Sequence, residues 1–160
     1  MLFAHGSGSS RHSTRNRYVA KVLQDACLGT LLFDLLTPEE ELIDEQIPHL
    51  RFDIGLLAYR LAGATDWFMQ NFGRNLAIGY FGASTGAAAA LVASVVKQDV
   101  VKAVVSRGGR PDLAGEYLER VRAPALLIVG GDDESVVGLN HAALKLPHAD
   151  KEIAIISGTE

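Results

Sequence analysis

The chain has one cysteine, Cys27, which rules out a disulfide framework and a cysteine-based zinc site. Positive charge is in short supply. Lysine and arginine number 15 against 19 aspartate and glutamate, a formal net charge of -4, and the clustered basic footprint of a nucleic-acid-binding surface is missing. Long apolar runs are missing too, for no segment approaches the ~20 residues that a membrane-spanning helix needs. The opening MLFAHGSGSS has no charged region followed by a long apolar stretch, so it does not read as a signal peptide. Internal repeats, linkers and low-complexity stretches are not evident. These absences lead to the expectation of one cytoplasmic domain with no nucleic-acid or membrane partner. What is present suits that expectation: 160 residues with 48% hydrophobic content can bury a substantial core.

Short β-rich runs alternate with longer segments of helical period. Leu2–Ala4 reads as a strand stopping at the loop HGSGSS. In Arg15 to Ala26 the positions Tyr18, Val19, Val22, Leu23 and Ala26 fall on one helix face. Gly29 is then expected to end that helix, and Thr30–Leu36 (TLLFDLL) to form a buried strand. TPEEELIDEQ reads as an acidic loop, with the glutamates a solvated face or a helix start after Pro38. From about Leu50 a long helix carries Ile54, Leu57, Leu61, Ala64 and Phe68, with Trp67 and Phe68 expected in the core. Leu76–Phe81, Val101–Ser106, Ala125–Gly130 and KEIAII supply further strands. Helices are expected at Thr85 to Val96 and near Leu139–Lys145. This alternation predicts an α/β fold with a mostly parallel, doubly wound sheet and helices on both faces. In such sheets chemistry sits in loops at the carboxyl ends of strands. That rule selects His5–Ser10, Gly82–Gly86, Arg107–Asp112 and Gly130–Ser135.

One of these loops has a specific physical meaning. Gly82-Ala83-Ser84-Thr85-Gly86 matches G-x-S-x-G between a strand and a helix. A serine on so sharp a turn is held in a strained backbone state with its hydroxyl pushed into the open. The residues two before and two after must be tiny, because strand and helix nearly collide there. Ala87–Ala90 let the helix press against the sheet, and its N-terminus directs free N–H groups toward developing negative charge. The plain alternative is an ordinary strand-to-helix turn built from small residues.

With these motifs in sequence order (FAHGSGSSRHS, GYFGASTGAAAA, VSRGGRPDLAG and LLIVGGDDESV), the chain resembles the α/β-hydrolase superfamily, in particular its dienelactone-hydrolase-like branch. Dienelactone hydrolases proper use a cysteine nucleophile, whereas this turn carries Ser84, which favours ester or related acyl chemistry. The resemblance implies that His5-Gly6-Ser7 is an oxyanion loop, the N–H of Ser7 pairing with that of Thr85. His5 is expected to orient that loop. A glycine-serine turn or a phosphate-binding loop are the alternatives, although the G-K-[ST] ending of a P-loop is missing. In Gly130-Gly131-Asp132-Asp133-Glu134-Ser135-Val136 the family pattern selects Asp133 as the acid that orients a histidine, with Asp132 as the neighbouring alternative.

The histidine itself is the gap. The family pattern places it immediately after Ser157-Gly158-Thr159-Glu160, while His12, His49, His141 and His148 fit that role poorly. The resemblance thus implies a single domain over residues 1–160 that lacks the N-terminal strands, the histidine loop and the final helix, and is nearly inactive by itself. Apolar positions on one sheet face should then be uncovered, inviting association such as a homodimer. Arg107 and Arg110 could hold an anionic carboxylate, or could be surface residues paired with Asp112 or Glu116. The segment between Ser106 and Ala125 is too short for a helical cap, so the site should be open to small or extended substrates. The expected function is a serine hydrolase of small ester-like molecules working through an acyl-enzyme, with no metal or organic cofactor. Its rivals are a non-catalytic binding protein on the same scaffold and a nucleotide-binding domain using HGSGSS.

Overall fold

In the computed structural model the described residues are 1–73, 75–145 and 149–159. Six strands, β1 (Leu2–Ala4), β2 (Leu31–Leu32), β3 (Ile78–Ala83), β4 (Val101–Arg107), β5 (Ala125–Gly130) and β6 (Lys151–Ile156), form one sheet. Every pairing is parallel and the order is β2-β1-β3-β4-β5-β6. From β1 the chain steps outward to β2, returns past β1 to β3, and then runs to the opposite edge. The direction of winding therefore reverses between β1 and β3, and a crevice opens beyond the carboxyl ends of those two strands. The loops there are His5–Ser10 and Gly82–Gly86.

Alternation along β1 splits the core in two. Leu2 and Ala4 point into the main cluster, which includes Tyr80, Leu61, Leu91 and Leu127. Phe3 points the other way, onto Phe81 and Ala20, with its ring 5.0 Å from that of Phe81. On the main face lie α3 (Ile54–Phe72), α4 (Thr85–Val96) and α5 (Glu134–Leu144). Ala87 to Ala90 on α4 are fully buried, and their small side chains let that helix pack closely on both the sheet and α3. The buried hydroxyl of Tyr80 is 2.6 Å from Thr65 Oγ1, and burial pushes its pKa up to about 12.

Among the described residues, α1 (Thr14–Asp25) is the one helix that packs on the other face, over Phe3 and Phe81. The row that begins with these two residues continues through their register partners Val105 and Leu126, and Ile128 and Ala154 lie on the same face. Those four are only half-buried and Ile156 is exposed. These residues make a partly exposed apolar strip on this face, where the sequence leads one to expect an uncovered one. Among the described residues no helix is long and apolar enough to cross a membrane.

Several local expectations change. The acidic stretch is a helix, α2 (Pro38–Gln46), rather than a loop. Thr37 accepts from the N–H of Glu40 while Glu40 caps the N–H of Thr37, and the glutamates sit at the positive end of the helix dipole. In the last turn of α2, Asp44 is 1% exposed and accepts from the N–H groups of His49 and Leu50 and from the Arg51 guanidinium. Burial pushes this carboxyl upward, but those donors outweigh it and hold it at about 2. Helix α1 ends before Gly29. Ala26 is the C-cap, Cys27 takes the left-handed position (φ 62), and the N–H groups of Cys27 and Leu28 reach the carbonyls of Gln24 and Leu23. This is a Schellman closure with cysteine where glycine is favoured. The long helix begins only at Ile54, after a 3₁₀ turn at Leu50–Phe52, and Trp67 is half exposed rather than core. Strand β2 is two residues long, and α5 starts at Glu134.

Candidate active site

Ser84 sits between β3 and α4 at φ 51, ψ -121, a left-handed backbone state that a serine rarely adopts. The flanking glycines show why the chain can turn there. A Cβ on Gly82 would fall 2.4 Å from Ala87 Cα, and one on Gly86 would fall 2.2 Å from the carbonyl oxygen of Ala4. Any larger residue at either position drives the helix off the sheet. The turn is clamped from the next loop: the N–H of Ser84 donates to the Arg107 carbonyl (3.3 Å) and the Ser84 carbonyl accepts from Arg110 N–H (3.4 Å). Asn140 on α5 steadies that loop by donating to the Gly109 carbonyl (3.0 Å).

A cavity of about 960 Å³ opens above Ser84, and Asp133, Arg107, Arg15, Asn16 and Thr159 also line it. Asp133 caps α5, with Oδ1 accepting from Val136 N–H (3.1 Å) and the Ser135 hydroxyl (2.8 Å). Those donors hold its carboxyl below the usual aspartate value, so it is ionised at neutral pH. Asp132 does not line the cavity. Its backbone N–H donates to the Thr159 carbonyl (3.1 Å), which lays the loop after β6 across the acid turn.

The loop His5–Ser10, expected to hold an oxyanion, lies against the Ser84 turn. A Cβ on Gly6 would be 3.2 Å from Ser84 Cβ, so His5–Ser10 presses directly on the turn. The N–H of Ser7, however, already donates to Thr85 Oγ1 at 3.1 Å. Ser7 is therefore not an open donor in this state, whereas the N–H of Thr85 opens α4, where no intrahelical acceptor exists. Ser7 and Thr85 line a neighbouring cavity of about 460 Å³, joined to the first through Gly6, Ser9 and Ser13, which border both.

None of the described histidines lines the Ser84 cavity. His5 is 8% exposed, its Nε2 accepts from Leu35 N–H (3.0 Å) and its Nδ1 faces the Gly6 carbonyl (3.0 Å). With both ring nitrogens on backbone, it holds the loop. His49 turns to the Ile47 carbonyl and His141 lies exposed on α5; His148 lies outside the described residues.

The two candidate arginines part company. Arg110 leaves the reading, because it makes a two-pronged bond to Asp112 (2.9 and 2.7 Å) and lies outside the Ser84 cavity. Arg107 stays. Its Nε is buried with no partner, and burial, followed by the nearby charge of Arg15, lowers its pKa. Arg15 and Asn16 were not singled out by sequence reasoning, which saw only the face of α1. Their one signal was position, in the first turn of the helix after the switch-point loop.

A parallel sheet reversing at β1/β3, with a strained serine at the end of β3 and an acid after β5, defines the α/β-hydrolase fold. The comparisons agree. The crystal structure of dienelactone hydrolase from Anabaena variabilis superposes with a TM-score of 0.95 and is 61% identical, covering 98% of this chain and 73% of that one. The chain belongs to the dienelactone hydrolase family. Est1E from Butyrivibrio proteoclasticus shares the fold at 15% identity (TM-score 0.78; 98% and 77% covered). A protein of Mycobacterium tuberculosis H37Rv, provisionally named a phosphoribosyl transferase, is 55% identical over 159 residues. That match covers 99% of this chain but only 35% of the mycobacterial protein, so the chain spans about a third of it. No protein-family model matches the chain.

Proposed function

We propose that the chain carries the active site of a serine hydrolase that cleaves a carboxylic ester or related acyl bond through an acyl-enzyme on Ser84. The observation that carries this reading is Ser84, strained at φ 51, facing the same cavity as the ionised Asp133. Ser84 Oγ attacks the acyl carbon, and an imidazole takes its proton and later hands it to the leaving alcohol. The Ser135 hydroxyl and Val136 N–H contacts of Asp133 fall on Oδ1, and Oδ2 is the oxygen that would accept the imidazole N–H. The negative oxygen of the tetrahedral intermediate faces Thr85 N–H; Ser7 N–H joins once it exchanges Thr85 Oγ1 for that oxygen. Water then repeats the cycle and frees the acid. The imidazole would enter from the side of the loop after β6, where Thr159 borders the cavity. The phosphoribosyl transferase name belongs to a protein of which this chain matches a third, and it is not carried over.

Chemical rescue tests this. Added imidazole should accelerate p-nitrophenyl acetate hydrolysis by the chain beyond its effect on Ser84→Ala, and a fluorophosphonate should label Ser84 faster in its presence. Asp133→Asn should blunt both gains. Equal rates for the chain and Ser84→Ala at every imidazole concentration, with no labelling, would overturn the enzymatic reading and favour a binding protein on this scaffold.

A further inference from the structure

The Ser84 cavity holds a second chemistry that the acyl-enzyme mechanism does not use. Arg107 rises from the carboxyl end of β4 with its Nε buried and unpartnered. Arg15, in the first turn of α1, is close enough to depress it. Neither guanidinium forms an ion pair among the described residues. Two adjacent like charges without a counterion repel, and a partly desolvated guanidinium without acceptors is costly. Beside them is Asn16, 2% exposed, whose Oδ1 is buried and has no donor. The α1 N-terminus, capped by Ser13, adds its positive end to the same corner.

The unmet valences describe a ligand. The guanidinium groups require acceptors with negative charge, and Asn16 Oδ1 requires one donor. We propose that this corner binds an oxyanion that carries a hydroxyl, either a phosphate that keeps one P–OH or a carboxylate with an adjacent alcohol. The oxyanion spans Arg107 and Arg15, in the planar fork geometry that guanidinium favours, while the hydroxyl donates to Asn16. As a statement about binding this stands independently of Ser84. As a statement that the hydrolysed ester bears such a group, it rests on the proposed function.

The test is titration of the chain with inorganic phosphate, sulfate, glycolate and acetate, following the Nε–H signals of Arg107 and Arg15 by NMR. Phosphate retains a P–OH at neutral pH whereas sulfate, nearly the same shape, has none. Phosphate or glycolate should shift both signals saturably, binding about tenfold or more tightly than its hydroxyl-free counterpart. The stronger of the two tells a phosphoryl from a carboxylate ligand. Arg15→Gln, an exposed change that leaves the fold intact, should weaken binding about tenfold, as should Arg107→Lys, which keeps the charge and loses the fork. Absence of saturable shifts, or equal binding of sulfate and phosphate together with equal binding of acetate and glycolate, overturns the proposal. The same titration on Ser84→Ala should be unchanged. Anion binding without imidazole rescue would therefore keep this site and discard the serine hydrolase.

Discussion

Replacing Gly86 by alanine adds one methyl group at the point where α4 meets β1, and the geometry sets its consequence. The new Cβ would lie 2.2 Å from the Ala4 carbonyl oxygen, 2.4 Å from that of His5 and 2.7 Å from the Ala4 carbonyl carbon. All three obstacles are main chain, at the junction of β1 with the loop pressed on Ser84. No rotamer relieves the overlap; α4 must move away by roughly 1 Å, which opens the packing of Ala87–Ala90. Overpacking of this kind costs about 1–3 kcal/mol, and a backbone obstacle puts it near the upper end. In a domain of this size that corresponds to a fall in Tm of about 6–12 °C, at roughly 2–4 °C per kcal/mol. Gly63→Ala is the control. It lies inside α3 with nothing within 4 Å of the added carbon, so it should gain close to the ~1 kcal/mol by which alanine exceeds glycine in a helix. Thermal and urea unfolding followed by circular dichroism measure both. A Gly86→Ala protein within about 0.5 kcal/mol of the parent, the range of a neutral surface change, would refute the close approach and with it the structural reason for glycine at that position.

Two further outcomes follow from groups outside the site. Asp44 has a folded-state pKa of about 2 against 3.8 unfolded, so its contribution to stability is complete above pH 3.8 and disappears as pH falls through about 2. Stability curves of the parent and Asp44→Asn should therefore converge over that interval, and parallel curves from pH 5 to 2 would count against the Asp44–Arg51 anchor. Cys27→Gly relieves a left-handed residue costing about 1–2 kcal/mol while adding about 0.5–1 kcal/mol of chain entropy. A net gain of several tenths in urea unfolding is expected, and a loss would mean the cysteine side chain contributes to packing.

The sequence reveals most where local chemistry leaves one solution. G-x-S-x-G between a strand and a helix demands the turn found at Ser84, and the alanine run after it demands the close helix. The charge of the acidic stretch suggests a solvated loop as readily as a helix start after Pro38, and the capping box of Thr37 and Glu40 decides for the helix. Gly29 was named as the stop of α1 because glycine ordinarily takes the left-handed position, yet Leu28 N–H reaches the Leu23 carbonyl two residues earlier and leaves that position to Cys27. Arg110 looked as available as Arg107, and only three-dimensional packing shows that Asp112 takes it. Arg15 and Asn16 were invisible for the converse reason: what brings them to Ser84 is the order of strands, and the pattern along α1 carries no record of that order.

The loop at residues 107–110 ties Ser84 to Asp133, the proposed nucleophile and acid, although separate strands carry them. Residues 107–110 accept the N–H of Ser84 and donate to its carbonyl, fixing the peptide groups on both sides of the strained residue. Asn140 ties the loop to α5 through Gly109, and its second bond, to the Val136 carbonyl, lies one turn from the Asp133 cap. Gly109 has no room for a side chain, since a Cβ there would lie 1.9 Å from Ser106 Oγ and 2.8 Å from Ala87 Cβ. A path of hydrogen bonds and close contacts thus runs from Ser84 to Asp133 with no exposed side chain in it. Positions fixed by main chain and a buried amide hold their geometry better than positions fixed by long surface side chains. The serine can sustain its backbone strain because its neighbours on three elements leave it no alternative.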